Sequence, residues 1–287
     1  MEHLLLSNGV VMPQVGLGTY TLKDQTLESV VLRAAEDGYS MFDTASRYGN
    51  EEALGHELKT TLLPREKLFI TTKLYVLDIY RFYHPRYHIM WRNKTVEDAY
   101  DNSCSRLGVA QADLYLLHAC WPPVLKKMWR GIEDLYLSGR VRAIGVANFG
   151  IPQLELLNQI NPRVMPMVNQ LECTPYFHNR PAIEKSRQLG MQVYATSPLG
   201  RGLVTEQLLA EPVLQTIASQ VGRSPAQVVL RWVIQQRLGV LSRSKKTEKV
   251  SQNIQLFDFC LTKEQMQAIS KLECNLSTSS GIVHYVP

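Results

Sequence analysis

Short apolar runs alternate with longer amphipathic stretches along almost the whole chain. The runs are VGLGT from Val15, MFDTA from Met41, LFITTKL from Leu68 and ADLYLLHA from Ala112. They continue with VRAIGVANF from Val141, MVNQLE from Met167, QVYATSPLG from Gln192 and GVLSRS from Gly239. Each is rich in Val, Ile, Leu or Tyr and lacks strict polar alternation, the pattern of strands buried on both faces of a parallel sheet. The stretches between them carry the helical period instead. In LESVVLRAA, Leu27, Val30, Val31 and Ala34 fall at i, i+3, i+4 and i+7 and predict one buried stripe. LKKMWRGIEDLYLSGR predicts a helix stopped near Gly139, and Ser224-Pro225 predicts a cap with proline at the first helical position. Ahead of the first run, LLLSNGVVM predicts a hairpin turning at Asn8-Gly9.

About eight strand–helix units without a linker-like break predict a single (β/α)8 TIM barrel over residues 1–287, preceded by the β-hairpin. The alternative is an open doubly wound sheet with a dinucleotide-binding GxGxxG. Gly16-Leu17-Gly18 is followed by Thr19-Tyr20-Thr21, so the third glycine is missing and the barrel is preferred. One segment breaks the regularity. YVLDIYRFYHPRYHIMWRN, Tyr75 to Asn93, is long for a strand-to-helix connection and crowded with aromatics and arginines.

Composition narrows the partners. The 287 residues carry a formal charge of +5, too mild and too dispersed for a nucleic-acid surface and better suited to a small anionic ligand. Five scattered cysteines without a CxxC pair favour a reducing compartment over a disulfide framework or a zinc site. No leader-like start and no membrane-spanning run is visible, so a cytoplasmic protein without membrane or nucleic-acid partners is expected.

In a barrel, residues at the ends of the strands gather round one mouth. Asp43 ends MFDTA with Tyr48 just beyond it, Lys73 ends LFITTKL, and His118 ends LYLLHA. Singly, each has an ordinary explanation: a helix cap for Asp43, packing for Tyr48, a solvated Lys73, a hydrogen-bonded core His118. Together they form a set suited to moving a proton onto a carbonyl oxygen. A carboxylate would hold the lysine charged, the ammonium is expected to lower the phenol's pKa, and the imidazole would orient the substrate oxygen. No nucleophile elbow and no metal-ligand spacing competes with this set.

FDTASRYGNEEALG, FITTKL, DLYLLH, RAIGVANF, VNQLECTPY and SPLGRG occur in this order, and the chain from Leu5 to Leu272 resembles the aldo-keto reductase family. The resemblance implies an (α/β)8 barrel that binds NADPH without a Rossmann domain and needs no metal. It implies an NADP-dependent reductase of aldehydes or ketones, with Tyr48 as general acid and Lys73, Asp43 and His118 completing a tetrad. By the same resemblance Gly18, Thr19 and Tyr20 border the nicotinamide and substrate, and Asn148 and Gln170 grip the carboxamide. Ser197, Leu199 and Gly200 follow the pyrophosphate, Arg243, Ser244 and Lys249 hold the 2′-phosphate, and Asn253 meets the adenine. Tyr20, Tyr75 and Trp121 are expected at the substrate, and a monomer is the family expectation. Arg243, Lys245, Lys246 and Lys249 also make a cationic cluster after the last strand, suited to a phosphate monoester.

The sequence departs from the family pattern at several positions. Ala147 replaces a serine beside the asparagine, and Thr196 replaces the tyrosine that stacks on the nicotinamide. Tyr194, two residues earlier, points to the same side of a regular strand but one layer away. Arg243 and Lys249 exchange the usual Lys and Arg, and Thr174 replaces a histidine. The aromatic insert, with Tyr80, Phe82, Tyr83, Tyr87 and Trp91, is either a wall or lid of the substrate pocket or an exposed excursion. An alternative to catalysis is a nucleotide-binding redox sensor or regulatory subunit on the same barrel; a structural protein that has lost catalysis is the third.

Overall fold

The computed structural model describes residues 2–83, 88–91 and 94–278. Strands β1 (His3–Leu5) and β2 (Val11–Pro13) form the antiparallel hairpin expected around Asn8-Gly9, with Leu4 opposite Met12. The barrel then begins. Strand β3 (Val15–Gly18) leads to helix α1 (Asp24–Glu36), β4 (Met41–Asp43) to α2 (Glu51–Thr60), and β5 (Phe69–Leu74) to the inserted segment. That segment holds a short helix α3 (Val76–Ile79) and an antiparallel ribbon, β6 (Tyr80–Tyr83) with β7 (His88–Trp91). The side chains of Tyr80, Phe82, Tyr83 and Trp91, and Tyr87 itself, lie outside the described residues, as do residues 279–287.

Helix α4 (Val96–Leu107) returns the chain to β8 (Leu114–Leu117), followed by α5 (Leu125–Leu137), β9 (Ala143–Ala147) and α6 (Ile151–Gln159). Strand β10 (Val168–Glu172), α7 (Arg180–Gln188) and β11 (Gln192–Thr196) continue the alternation. Helices α8 (Leu203–Leu209), α9 (Pro212–Val221) and α10 (Pro225–Gln235) precede β12 (Gly239–Ser242). Helices α11 (Thr247–Ile254) and α12 (Lys263–Ser270) end the described architecture. The barrel is closed in the order β3-β4-β5-β8-β9-β10-β11-β12, with Leu241 of β12 paired to Gly16 of β3.

Local signals in the sequence account for most boundaries. Leu27, Val30, Val31 and Ala34 are the buried stripe of α1. Gly139 ends α5 at φ +75°, a conformation that disfavours any side chain, and Ser224 with Gln227 forms a capping box on α10. The run from Val141 loses its first two residues to a bend. Arg142 instead reaches the buried Asp113 at 2.5 Å, where Arg65 also pairs at 2.7 Å. No described helix is long and apolar enough to cross a membrane.

Apolar side chains fill the space between strand ring and helix ring, while the floor of the barrel is closed by the hairpin and Tyr194. The Tyr194 hydroxyl donates to the carbonyl of Pro13 at 2.7 Å, and its ring lies flush against Gly239. A Cβ at Gly239 would fall 2.2 Å from Cε1 of Tyr194, so only glycine fits there. Gly239→Ala is expected to destabilise the protein by about 1–3 kcal/mol through overpacking. Tyr194→Leu in the same chain should restore part of that loss. Thermal unfolding of the single and double variants tests the contact; equal melting temperatures for the two would disprove it.

Candidate active site

Because all barrel strands run parallel, their C-terminal ends open on one mouth, and the expected polar residues are there. Asp43 is the last residue of β4, Lys73 lies near the end of β5, and His118 directly follows β8. Asp43 and Lys73 are 3% and 1% exposed, so neither charge is solvated by bulk water. The Lys73 ammonium is ion-paired with Oδ1 of Asp43 and donates to the carbonyl oxygen of Thr44 at 2.9 Å. The other carboxylate oxygen accepts Nε2 of Gln170 at 2.6 Å. Asp43 therefore caps no helix; its charge is committed to Lys73. Tyr48 ends a 3-10 turn (Ser46–Tyr48) beyond β4, and its hydroxyl oxygen is 3.5 Å from the Lys73 Nζ.

The electrostatics depart from the sequence expectation in one respect. Burial raises the pKa of the Tyr48 phenol above its ordinary value, and the opposing pull of Lys73 does not overcome it. Burial is the larger effect, and Asp43, which already balances the ammonium, adds to it. Lys73 itself loses from burial but gains more from Asp43 and Tyr48, so its ammonium is held above the usual lysine value. His118 is pushed well below the ordinary histidine range by burial, then by Lys73 and Arg47, and is a neutral imidazole at neutral pH. Its Nδ1 is buried without a hydrogen-bond partner. Tyr48 and Tyr75 both meet its ring edge-on, at centroid distances of 5.7 and 5.9 Å.

Two residues of RYGNEE that carried no expectation hold this mouth in shape. Asn50 donates from Nδ2 to the carbonyls of Thr19 and Leu22 and accepts from the hydroxyl of Thr44, tying the ends of β3 and β4 around Tyr48. Glu51, 1% exposed, accepts from Thr72 at 2.5 Å and pairs with Arg106 of α4. Asp78 accepts from Ser46 at 2.5 Å and from the backbone of Tyr75 at 2.8 Å, fixing the turn that carries Tyr48. The sequence signal for Asn50 and Glu51 was their place at a helix start, and Asp78 had none.

Two concavities meet at the tetrad. A cleft of about 280 Å³ runs outward between β11, β12 and β3, past Gly18, Ser197, Leu199, Gly200 and Arg243. A smaller cavity of about 90 Å³ lies over Tyr48 and His118, walled by Asn148, Gln170 and Ala147. Tyr20, Thr196 and Arg201 border both. Asn148 donates to the carbonyl of His118 at 3.0 Å and, like Ser197, has a left-handed backbone, φ +63° and +48°. Such a conformation costs a non-glycine residue roughly 1–2 kcal/mol, and both stand where a strand turns sharply at the mouth.

Other expected residues stand back from these spaces. Thr19 is fully buried, its hydroxyl spent on the carbonyl of Asp43, and Trp121 lines neither concavity. Tyr75 reaches the site only through His118 and Arg47. Ser244, Lys249 and Asn253 lie beyond Arg243. Lys249 donates to Gln252 at 3.0 Å, the Ser244 hydroxyl accepts from the backbone of Lys246, and Asn253 is buried on α11. Arg47 and Arg201 were not anticipated. Arg201 donates from Nε to the Ser197 hydroxyl at 2.8 Å, while its Nη1 is buried without a partner.

Residues 14–273 match the model of the Aldo/keto reductase family. The chain belongs to that family. It is 36% identical over 282 residues to the morphine 6-dehydrogenase of Pseudomonas putida, spanning 93% of this chain and 90% of that protein. It is 37% identical over 274 residues to the glyoxal reductase of Bacillus subtilis, spanning 94% and 92%. Among solved structures, an aldo-keto reductase from a Medee basin deep-sea metagenome superposes with a TM-score of 0.86 at 31% identity, covering 96% of each chain. The aldose reductase of Schistosoma japonicum gives 0.83 at 29% identity, covering 95% of this chain and 93% of that one. As an aldo/keto reductase the protein is an oxidoreductase of carbonyl compounds.

Within this aldo/keto reductase the departures are local. Thr196 opens onto both concavities, Ala147 is buried in the cavity wall, and Tyr194 is committed to the floor, too deep to replace a ring at position 196. The ion pair beneath them sets the stability of the mouth. Lys73→Met is expected to cost about 3–5 kcal/mol, because it leaves the Asp43 carboxylate buried with no cation. Adding Asp43→Asn should recover much of that loss in denaturant unfolding. No recovery in the double variant would contradict the pairing.

Proposed function

We propose that this aldo/keto reductase reduces aldehydes or ketones to alcohols with NADPH, and that Tyr48 donates the proton. The observation that carries the proposal is the buried Asp43–Lys73–Tyr48 chain, with neutral His118 beside it, opening on one small cavity. The chemistry NADPH supplies when bound is hydride transfer to the carbonyl carbon. The chain's part is to hold the carbonyl oxygen between Tyr48 and His118 and to deliver a proton as charge develops on it. A phenol kept protonated by burial suits the donor role. Once the proton has left, the Lys73 ammonium 3.5 Å away stabilises the phenolate, and Asp43 keeps that lysine charged.

The donor set fits the dinucleotide. The buried, unpartnered Nη1 of Arg201 is a donor placed for an anionic group, and Arg243 borders the same cleft. Gly200, at φ +74°, shapes the cleft wall in a conformation that favours glycine. The lysines beyond Arg243, at the start of α11, suit a further phosphate, which supports NADPH over NADH. Asn148 and Gln170 offer side-chain amides to a carboxamide at the junction of the two spaces. A soluble cytoplasmic monomer is part of the same proposal.

Three measurements check this. Tyr48→Phe is expected to lower kcat for aldehyde reduction by about 10²–10⁴-fold, with little change in cofactor affinity. For the wild type, kcat for reduction should be flat from about pH 7 to 9, since the donor phenol titrates above its already high ordinary value. Alcohol oxidation needs the phenolate and should accelerate over the same interval; a reduction profile breaking near neutrality would count against Tyr48. Thr196→Tyr should tighten NADPH binding roughly fivefold in fluorescence titration, by restoring an aromatic stack. The altered Ala147 and Thr196 also favour a second reading, a nucleotide-binding sensor. Tight cofactor binding with no turnover on a panel of aldehydes would select it.

A further inference from the structure

We propose that the carbonyl substrate carries a carboxylate, and that Arg47 receives it at the rim of the small cavity. The inference rests on the reading of that cavity as the site of carbonyl reduction and adds the charge of the substrate.

The cavity wall contains three cationic side chains, Arg47, Lys73 and Arg201, and no carboxylate. Lys73 is neutralised by Asp43 behind it. Arg201 borders the neighbouring cleft as well and is shared with whatever fills it. Arg47 faces the small cavity alone of the two. It is exposed, and among the described residues no carboxylate forms an ion pair with it.

Arg47 is nevertheless held in place. Its guanidinium carbon lies 4.5 Å from the centroid of the Tyr75 ring, and Tyr75 in turn meets the His118 ring edge-on. A guanidinium lying over an aromatic face keeps its in-plane N–H donors free, in the fork geometry that matches a carboxylate. The positive charge of Arg47 is felt at His118, which it helps to keep neutral. A substrate whose carbonyl oxygen sits between Tyr48 and His118 would therefore extend, past one further ring, to a cation without an acidic partner. The cavity volume of about 90 Å³ suits a short molecule, and a planar carboxylate occupies less of it than a phosphate ester does. Such a cation discriminates by charge, because a neutral analogue of equal length gains nothing from it and an anion is steered to it.

The test compares 4-oxobutanoate with its methyl ester, with NADPH, in wild type, Arg47→Gln and Arg47→Lys. Wild type is expected to favour the acid by about tenfold in kcat/KM, a preference that falls as salt is raised. In Arg47→Gln the acid-to-ester ratio should fall to about one, chiefly through KM, while Arg47→Lys keeps part of the preference. A ratio near one in wild type, or one unchanged in Arg47→Gln, overturns the proposal. So does a preference for glyceraldehyde 3-phosphate over 4-oxobutanoate. Calorimetric titration of succinate into the protein without cofactor gives a readout independent of turnover. Weakening by about tenfold in Arg47→Gln supports the anion site even if neither aldehyde is reduced, in which case the catalytic reading alone has failed.

Discussion

An ammonium group enclosed in a protein is tolerable only against an opposite charge, and Lys73 is enclosed almost completely. The arrangement of the barrel mouth follows from meeting that requirement. Asp43, on the neighbouring strand, supplies the charge, Thr44 accepts a second hydrogen bond, and Gln170 satisfies the remaining carboxylate oxygen from across the barrel. Three strands are thereby pinned to one another through polar contacts at a point where apolar packing gives way to open space. The phenol of Tyr48 is placed against this group, so its acidity depends on how much of the lysine's charge Asp43 has already absorbed.

Burial and that balance together keep the phenol protonated. Burial, the largest influence, disfavours the phenolate; Lys73 opposes it, and the Asp43 carboxylate cancels part of that opposition. His118 is governed by the same field with the opposite outcome, since two nearby cations and burial all oppose its protonation. The result is two neutral hydrogen-bonding groups side by side, with the positive charge stored one layer behind them and at the rim. Holding these groups in register requires Asn50, Glu51 and Asp78, none of which needs to touch a substrate.

Much of this was legible before any coordinates. The alternation of apolar runs with 3.6-periodic stretches specified the barrel, and Asn8-Gly9, Gly139 and Ser224-Pro225 marked a turn, a stop and a start where they occur. The positions of Asp43, Lys73 and His118 at run ends placed them at one mouth, because parallel strands bring like ends together. Other features were not legible, each for a physical reason. Arg142 leaves its strand for a buried carboxylate that no local pattern announces. Thr19 turned inward rather than to the cleft because its hydroxyl found the carbonyl of Asp43 on the adjoining strand. Arg47 and Arg201 carried no expectation, since exposure and pairing are properties of three-dimensional neighbourhood.

The amino-acid sequence by itself determined the alternation of elements, the closed barrel, the family and the identities of the groups gathered at the mouth. These depend on hydrophobic period, turn chemistry and strand direction, all of which act over short stretches of chain. Only the tertiary structure decided which charge meets which, that Tyr48 stays protonated, that Tyr194 belongs to the floor, and that Arg47 stands without an acidic partner among the described residues. Those outcomes depend on burial and on distances between strands far apart in sequence. Coulombic and desolvation energies are set by such distances.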